Sequence, residues 1–272
     1  MPDQRQKSER FLALHRPDPP LLLGNAWDPG SAKLLASLGF QALATTSSGH
    51  ASTLGLLDGG VTLDEALAHA AALVGATDLP VSADFENGFA DDPAAVAANV
   101  AAAATTGLAG LSVEDFARRS DEPIYEVSFA VERVAAAADA AHSGPARLVL
   151  TARAENYLHG RPDLADTIDR LQRYQEAGAD VLFAPGISNA ADLGRILAAV
   201  DRPVNVLVNA STPTVGELGA LGVSRISIGG SFAMVALGAV VAAARELLDD
   251  GTCGFAPLVV AGRNAARAAF GS

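Results

Sequence analysis

Carboxylates gather at the ends of short apolar runs. Asp84 and Glu86 close "PVSADFENGF", Glu114 and Asp115 close "GLAGLSVEDF", and Asp58 lies ahead of both in "LGLLDGG", on the long stretch that follows an earlier apolar run. A further run, "RLVLTARAE", ends in Arg153 and Glu155. Acids brought together away from water repel one another, and a hard divalent cation removes the conflict. Mg2+ typically takes one or two carboxylates with waters and substrate oxygens, and Mn2+ suits the same donors. Asp58, Asp84 and Glu114 are therefore candidate metal ligands. The simpler alternatives are that Asp84 and Glu114 pair with Arg153, or that Asp84 caps the following helix. Arg153, if buried on its apolar run, needs an anion, which spacing leaves open between Glu114, a substrate and both. The hydroxyls and closely spaced N–H groups of "TTSSG" (Thr45 to Gly49) could cradle a carboxylate or phosphate, or form an ordinary polar loop.

Other chemistries lack their residues. Lys7 and Lys33 are the only lysines, one ahead of the first apolar run and one in the first helical stretch after it, which disfavours a Schiff-base mechanism. Cys253, the only cysteine, lies late in the chain and can form neither an intrachain disulfide nor a thiolate cage. His15, His69 and His142 read as surface residues. His50 and His159 lie near run ends but show no metal-binding spacing.

The elements that must position these groups announce themselves by repetition. "LGFQAL", "TGLAGLSV", "AGADVLFA" and "LGVSRISI" each place a glycine between a helical pattern and an apolar run, as where a helix ends at a C′ glycine and feeds a strand. Eight runs result, near 20–24, 40–45, 79–84, 109–113, 146–151, 180–184, 203–208 and 224–228, separated mostly by Ala-rich helical stretches. Alternating strands and helices in this number predict an α/β fold, a closed (β/α)8 TIM-type barrel, with an open doubly wound sheet as the alternative. The first strand runs into "GNAWDPGSAK" without a G-x-G-x-x-G fingerprint, which favours the barrel. No Pro/Gly/Ser-rich linker divides the chain, so residues 1–272 form one domain, with a helical extension over 1–17 and a helical tail over 249–272. In such a barrel the site is built where strands end, which adds Trp27 after the first strand and Asn209 after the seventh to the candidates.

The 31 acids against 19 bases give a net charge of −12, which argues against nucleic acid or an anionic membrane as partner. The longest apolar run, Phe232 to Ala244, has 13 residues and is closed by Arg245. A membrane span needs about 20 residues, so this run is expected to be a buried helix. The opening "MPDQRQKSERFLALHRP" has no signal-type apolar segment, and a cytoplasmic location is expected.

Together the ordered motifs from Leu21 to Leu248, "NAWDPGSAKLLASLGF", "LGLLDGG", "SADFENGF", "GLAGLSVEDF", "TARAENYLHG" and "NVLVNAS", resemble the isocitrate lyase/phosphoenolpyruvate mutase superfamily. The resemblance implies a barrel whose last helix is exchanged between subunits of a dimer or tetramer, and a Mg2+ site. It also implies cleavage or formation of a C–C or P–C bond beside a 2-oxo or 2-hydroxy acid. Asp58, Asp84 and Glu114 would hold the ion directly or through water, and Thr46, Ser47 and Ser48 the substrate carboxylate. Arg153 and Asn209 would lie near the reacting oxygens, with Trp27 at the substrate. Departures limit the transfer. Ser82 stands where many members have the first aspartate of D-x-D, "EDFARRSDEPIYEV" lacks the K-x-C-G type motif of the lyases, and "FAPGIS" lacks their glutamate after strand 6.

The expected function is thus a Mg2+-dependent lyase that cleaves a C–C bond next to the carbonyl of a small 2-oxo or 2-hydroxy acid through a metal-stabilised enolate. Arg153 and Glu114 are its expected catalytic residues. A decarboxylase or hydrolase of oxaloacetate or phosphonopyruvate type, and a non-catalytic 2-oxo acid binding protein, are the alternatives.

Overall fold

The computed structural model describes residues 2–271. Eight parallel strands close into a barrel in sequence order. They are β1 (Leu21–Asn25), β2 (Ala42–Ala44), β3 (Val81–Asp84), β4 (Gly110–Glu114), β5 (Val149–Arg153), β6 (Val181–Phe183), β7 (Val204–Leu207) and β8 (Arg225–Ser227). Closure is made by β8 against β1, with Leu21, Leu22 and Leu23 opposite Arg225, Ile226 and Ser227. Each expected run overlaps its strand, those of β1, β4 and β5 stopping one or two residues short, and the domain is a single (β/α)8 barrel.

The helices are α1 (Gln4–Ala13), α2 (Pro29–Ser37), α3 (Ser47–Thr53), α4 (Leu63–Ala76), α5 (Pro93–Ala104), α6 (Val127–Ser143), α7 (Leu164–Glu176), α8 (Ala190–Ala199), α9 (Val215–Leu221), α10 (Ser231–Arg245) and α11 (Ala256–Phe270). Their ends follow local chemistry. Asp28 caps α2 with Pro29 at its first position, and Thr62 with Glu65 makes a capping box on α4. The four glycines of the recurring phrase, Gly39, Gly107, Gly178 and Gly222, have φ between +90° and +106°, the left-handed backbone that a C′ glycine supplies.

α1 stoppers the N-terminal mouth of the barrel. Its Phe11 packs with Leu21, Leu23, Ala42, Val149 and Val181 in an apolar floor. Above that floor the interior turns polar: Ser82, Ser112, Thr151, Asn205, Arg225 and Ser227 are all buried.

Three expectations are corrected. His15 and His69, read as surface residues, are buried. His15 sits under the barrel, where its Nδ1 lies 2.8 Å from the Phe11 carbonyl and its Nε2 3.2 Å from Arg225 Nη1. His69 reaches the Trp27 carbonyl at 3.1 Å and stacks on His50. The apolar stretch Phe232 to Ala244, expected to be buried, lies in α10 and is mostly exposed, Val235 to 68%. α10 leaves the barrel after touching α3, whereas α11 returns onto α2. With its π-helical continuation, Glu246–Asp250, it makes a 20-residue helix whose most apolar 18 residues have mean hydropathy 1.7, long and apolar enough by length and composition alone to cross a membrane. The outside of β1 is left open as well: Leu22 is 43% exposed and lines a groove of about 360 Å3 with Leu14, Pro20, Leu38 and Phe40.

Burial first, and the Arg225 charge second, lower the His15 pKa to about 3. An unfolded histidine titrates near 6.5, so between these values the unfolded chain binds the extra proton. The contribution of neutral His15 is therefore complete above about pH 6.5 and is lost as pH falls towards 3, on the order of a few kcal/mol. Urea midpoints between pH 7.5 and 4 are expected to fall less steeply for His15→Gln than for wild type. Equal slopes would remove His15 from the account.

Candidate active site

At the C-terminal rim, β5 delivers the Arg153 guanidinium into a ring of three carboxylates. Nη1 donates to Asp84 Oδ1 at 2.7 Å, Nη2 faces Glu114 Oε2 at 3.2 Å, and Nε and Nη2 reach Glu155 Oε1 at 2.9 and 2.7 Å. Parallel register brings them together: Ser112 lies opposite Asp84 across β3 and β4, and Glu114 opposite Arg153 across β4 and β5. Phe183 on β6 supports the guanidinium, 5.2 Å from its ring centroid.

The carboxylates divide into different states. Burial, reinforced by Glu155, Asp84 and Asp115, pushes the Glu114 carboxyl well above the usual range despite the opposing Arg153 charge. Burial also acts on Glu155, but Arg153 and His159 outweigh it and hold that carboxyl low. Arg153 itself is kept firmly protonated: burial opposes its charge, and Glu155, Glu114 and Asp84 overcome that effect.

The segment after β2 is a helix start rather than a loop. Thr46 caps α3 through Gly49 N–H at 3.3 Å. Ser47 donates both its N–H and its hydroxyl to Asp84 Oδ2, each at 3.0 Å, so it fixes Asp84. The Thr46 and Ser48 hydroxyls lie 3.3 Å apart and face Gly230 after β8. A Cβ on Gly230 would stand 2.4 Å from Ser48 Oγ, so a side chain there would push the Ser48 hydroxyl out of its present place.

Two adjoining cavities open here. One, about 210 Å3, runs from Ser47, Ser48, Asp58 and Asp84 past Arg153 down into the barrel. The other, about 500 Å3, lies over Glu114, Arg153 and Glu155 and also meets Asp58. Thr46, Ser47, Ser48, Asp58, Asp84, Glu114 and Arg153 are thus brought to one place. Two candidates are not. Trp27 lines neither cavity. Asn209 is exposed and accepts from the Ser211 N–H and hydroxyl at 2.9 and 2.7 Å, closing its own loop.

Among the described residues no group of three or more His, Cys, Asp or Glu side chains is gathered closely enough to chelate a metal by itself. Charge and open donors nevertheless suit a divalent ion. Three carboxylates surround one guanidinium, and Glu114 Oε1 has no protein donor among the described residues. Since no buried side-chain oxygen there lacks a partner, Oε1 retains access to the cavity.

Neighbouring acids serve the frame. Asp115 accepts from Tyr174 at 2.6 Å, from Arg170 at 3.1 Å and from the Glu155 N–H at 2.8 Å, and thereby seats Glu155. The helix that follows β3, α5, is capped by Asp92 and not by Asp84, and Glu86 serves the loop between them. It sits in a tight turn with φ +48° and pairs with Arg118, which also holds the Gly59 carbonyl at 3.1 Å. Glu155, Arg118 and Arg225 join the site only in the folded structure. The signal for Glu155 was its place two residues past Arg153, and a charged residue in the apolar "SRISI" could have pointed to Arg225.

A (β/α)8 barrel with an acid-ringed arginine at its C-terminal face defines a barrel of enzyme type. The phosphoenolpyruvate phosphomutase family profile matches residues 11–248, and the chain belongs to this family. A structure of a Burkholderia cenocepacia J2315 protein assigned provisionally as a lyase/mutase is 50% identical, with a TM-score of 0.93 over 97% of this chain and 96% of the other. The 2-methylisocitrate lyase of Escherichia coli K12 is 30% identical over 75% of this chain and 71% of its own. The oxaloacetate decarboxylase of Chromohalobacter salexigens is 27% identical over 91% and 88%. The family is one of lyases and mutases acting on small carboxylic acids.

Proposed function

We propose that the protein is a Mg2+-dependent lyase that cleaves a C–C bond beside the carbonyl of a small 2-oxo or 2-hydroxy acid. The observation that carries this reading is the excess of acid at the rim: Asp84, Glu114 and Glu155 share Arg153, while Arg118 is taken up by Glu86. Asp84, Glu114 and Asp58 would hold the ion, which when bound supplies Lewis-acid stabilisation of negative charge on the substrate oxygens. Arg153 holds a second positive charge against an oxygen that becomes enolate-like as the bond breaks. Ser48 and Thr46 offer hydroxyls to the substrate carboxylate, and Ser47 keeps Asp84 oriented. Burial pushes the Glu114 carboxyl up in the free protein, and a bound cation would hold it ionised, so taking up the ion would release its proton.

A decarboxylase reading is supported by the 27% identity to oxaloacetate decarboxylase and by residues 116–126, which contain no cysteine or lysine to serve as the acid of a longer substrate. Products from a panel of 2-oxo and 2-hydroxy acids separate the two, and binding without product would leave a carrier. On this reading the enzyme works in the cytoplasm on small acids. Two or four copies would bury one another's α10 in the groove beside β1, because an apolar helix this exposed is rarely left to water. Light scattering that gives a monomer would end that part.

The metal has its own test. Glu114→Gln and Asp84→Asn are expected to weaken Mg2+ binding by about 10- to 100-fold in calorimetry and to abolish Mg2+-dependent turnover. Unchanged affinity and metal dependence in both variants would refute the site.

A further inference from the structure

Deep in the barrel, below the acid ring, lies a cation the reaction centre does not use. Arg225 on β8 is only 4% exposed, and among the described residues no carboxylate is in ion-pair contact with it. Nε donates to Asn205 Oδ1 at 2.9 Å, and Nη1 donates to Thr151 Oγ1 at 3.1 Å and to His15 Nε2 at 3.2 Å. All three partners are neutral. Burial, and then the charge of Arg153, lower its pKa to about 9, which still leaves it charged at neutral pH. Nη2 has no protein acceptor among the described residues. Because no buried side-chain nitrogen there lacks a partner, Nη2 keeps access to the cavity that Arg225 lines.

The space around it is equally unusual. TIM-barrel interiors are filled by layers of bulky, mostly branched side chains. Here Ala44, Ser82, Ser112 and Ser227 take four of the lining positions, beside Leu23, Phe183 and Leu207, and one cavity spans the rim and the guanidinium. A buried cation without a counter-ion costs stability, and a carboxylate that reaches it restores the balance. A stopper of apolar residues closes the other side, so such an anion must enter through the active site.

We propose that Arg225, with Ser82, Ser112 and Ser227 lining the same cavity, forms an inner subsite for a carboxylate. The substrate is then a dicarboxylate whose second carboxylate points down the barrel axis. This rests on the reading of the rim as a 2-oxo or 2-hydroxy acid cradle and specifies its substrate class.

The test compares calorimetric dissociation constants of the full chain with Mg2+ for malate and 2-hydroxybutyrate, four-carbon 2-hydroxy acids that differ in the distal carboxylate. Wild type is expected to favour malate by about 10- to 100-fold, the usual worth of hydrogen bonds to a charged group. Arg225→Met is expected to erase that preference while keeping 2-hydroxybutyrate within about twofold, and Arg225→Lys to retain part of it. Acetate that binds beside 2-hydroxybutyrate, and only when Arg225 is present, supports the subsite with a separate carboxylate as its occupant. If wild type binds both hydroxy acids alike and acetate binding is independent of Arg225, the subsite is overturned and the cradle stands. That wild-type comparison decides even if Arg225→Met fails to fold. If neither acid binds wild type, the cradle reading fails and the dicarboxylate assignment falls with it.

Discussion

Arg153→Met is expected to lower kcat/KM on the substrate identified by the panel by about 100- to 1,000-fold, the usual cost of removing a preorganised charge from a transition state. Two losses add. The guanidinium no longer faces the developing oxyanion, and Asp84, Glu114 and Glu155 lose the fork that spaces them. Breaking a buried ion network by removing one partner costs about 3–5 kcal/mol, so the urea midpoint should fall as well. Bound Mg2+ should recover part of that stability, because it neutralises the same acids. Arg153→Lys restores charge without the planar fork and should recover stability better than rate. A Met variant within about threefold of wild-type kcat/KM would exclude Arg153 from the chemistry.

The largest effect on folding is expected at Arg133, which is buried in α6 and serves as a bolt between loops. Nε donates to the Asp91 carbonyl at 3.0 Å and Nη1 to the Glu114 carbonyl at 3.1 Å, while Nη2 donates to those of Ala90 and Asn87. The guanidinium also stacks 4.3 Å from the Tyr125 ring centroid. Methionine would fill much of the volume but leave four carbonyls without donors. Unmet buried groups cost about 1–3 kcal/mol each and are not additive, so a loss of about 3–5 kcal/mol is expected. Against a total of roughly 5–15 kcal/mol for a domain, that is a thermal shift on the order of 10 °C. Because Glu114 is among the residues held, Arg133→Met should also reduce Mg2+ affinity. A melting temperature within a few degrees of wild type would show that the loops hold themselves.

Most of the frame was legible because it is written in local chemistry. A glycine at the end of a helix, a capping Asp or Thr, and an apolar run of four or five residues act on their immediate neighbours. Four such glycine joints and eight runs leave few topologies. The acid rim was legible for a related reason, since a parallel barrel sends the end of every strand to the same face. Asp84, Glu114 and Arg153 could therefore be grouped before any contact was known.

What went unread depended on partners far away in sequence. His15 and His69 look like surface histidines in their own segments. They are buried because one lies under the barrel against Arg225 and the other behind Trp27. α10 reads as a core helix from its composition, yet the chain leads it away from its own barrel. Asn209 lies past the correct strand but closes its own loop, because Ser211 and Ser188 offer nearer partners than the cavity.

By itself the sequence determined the barrel, its eight strands with four glycine joints, and the face on which chemistry would occur, since each follows from backbone preference and side-chain period. Only the tertiary structure decided how charge is distributed: one arginine among three acids at the rim, and a second arginine below it with no acid in ion-pair contact among the described residues. Electrostatic pairing depends on distance through space and on exclusion of water, and neither is encoded in the spacing of residues along the chain.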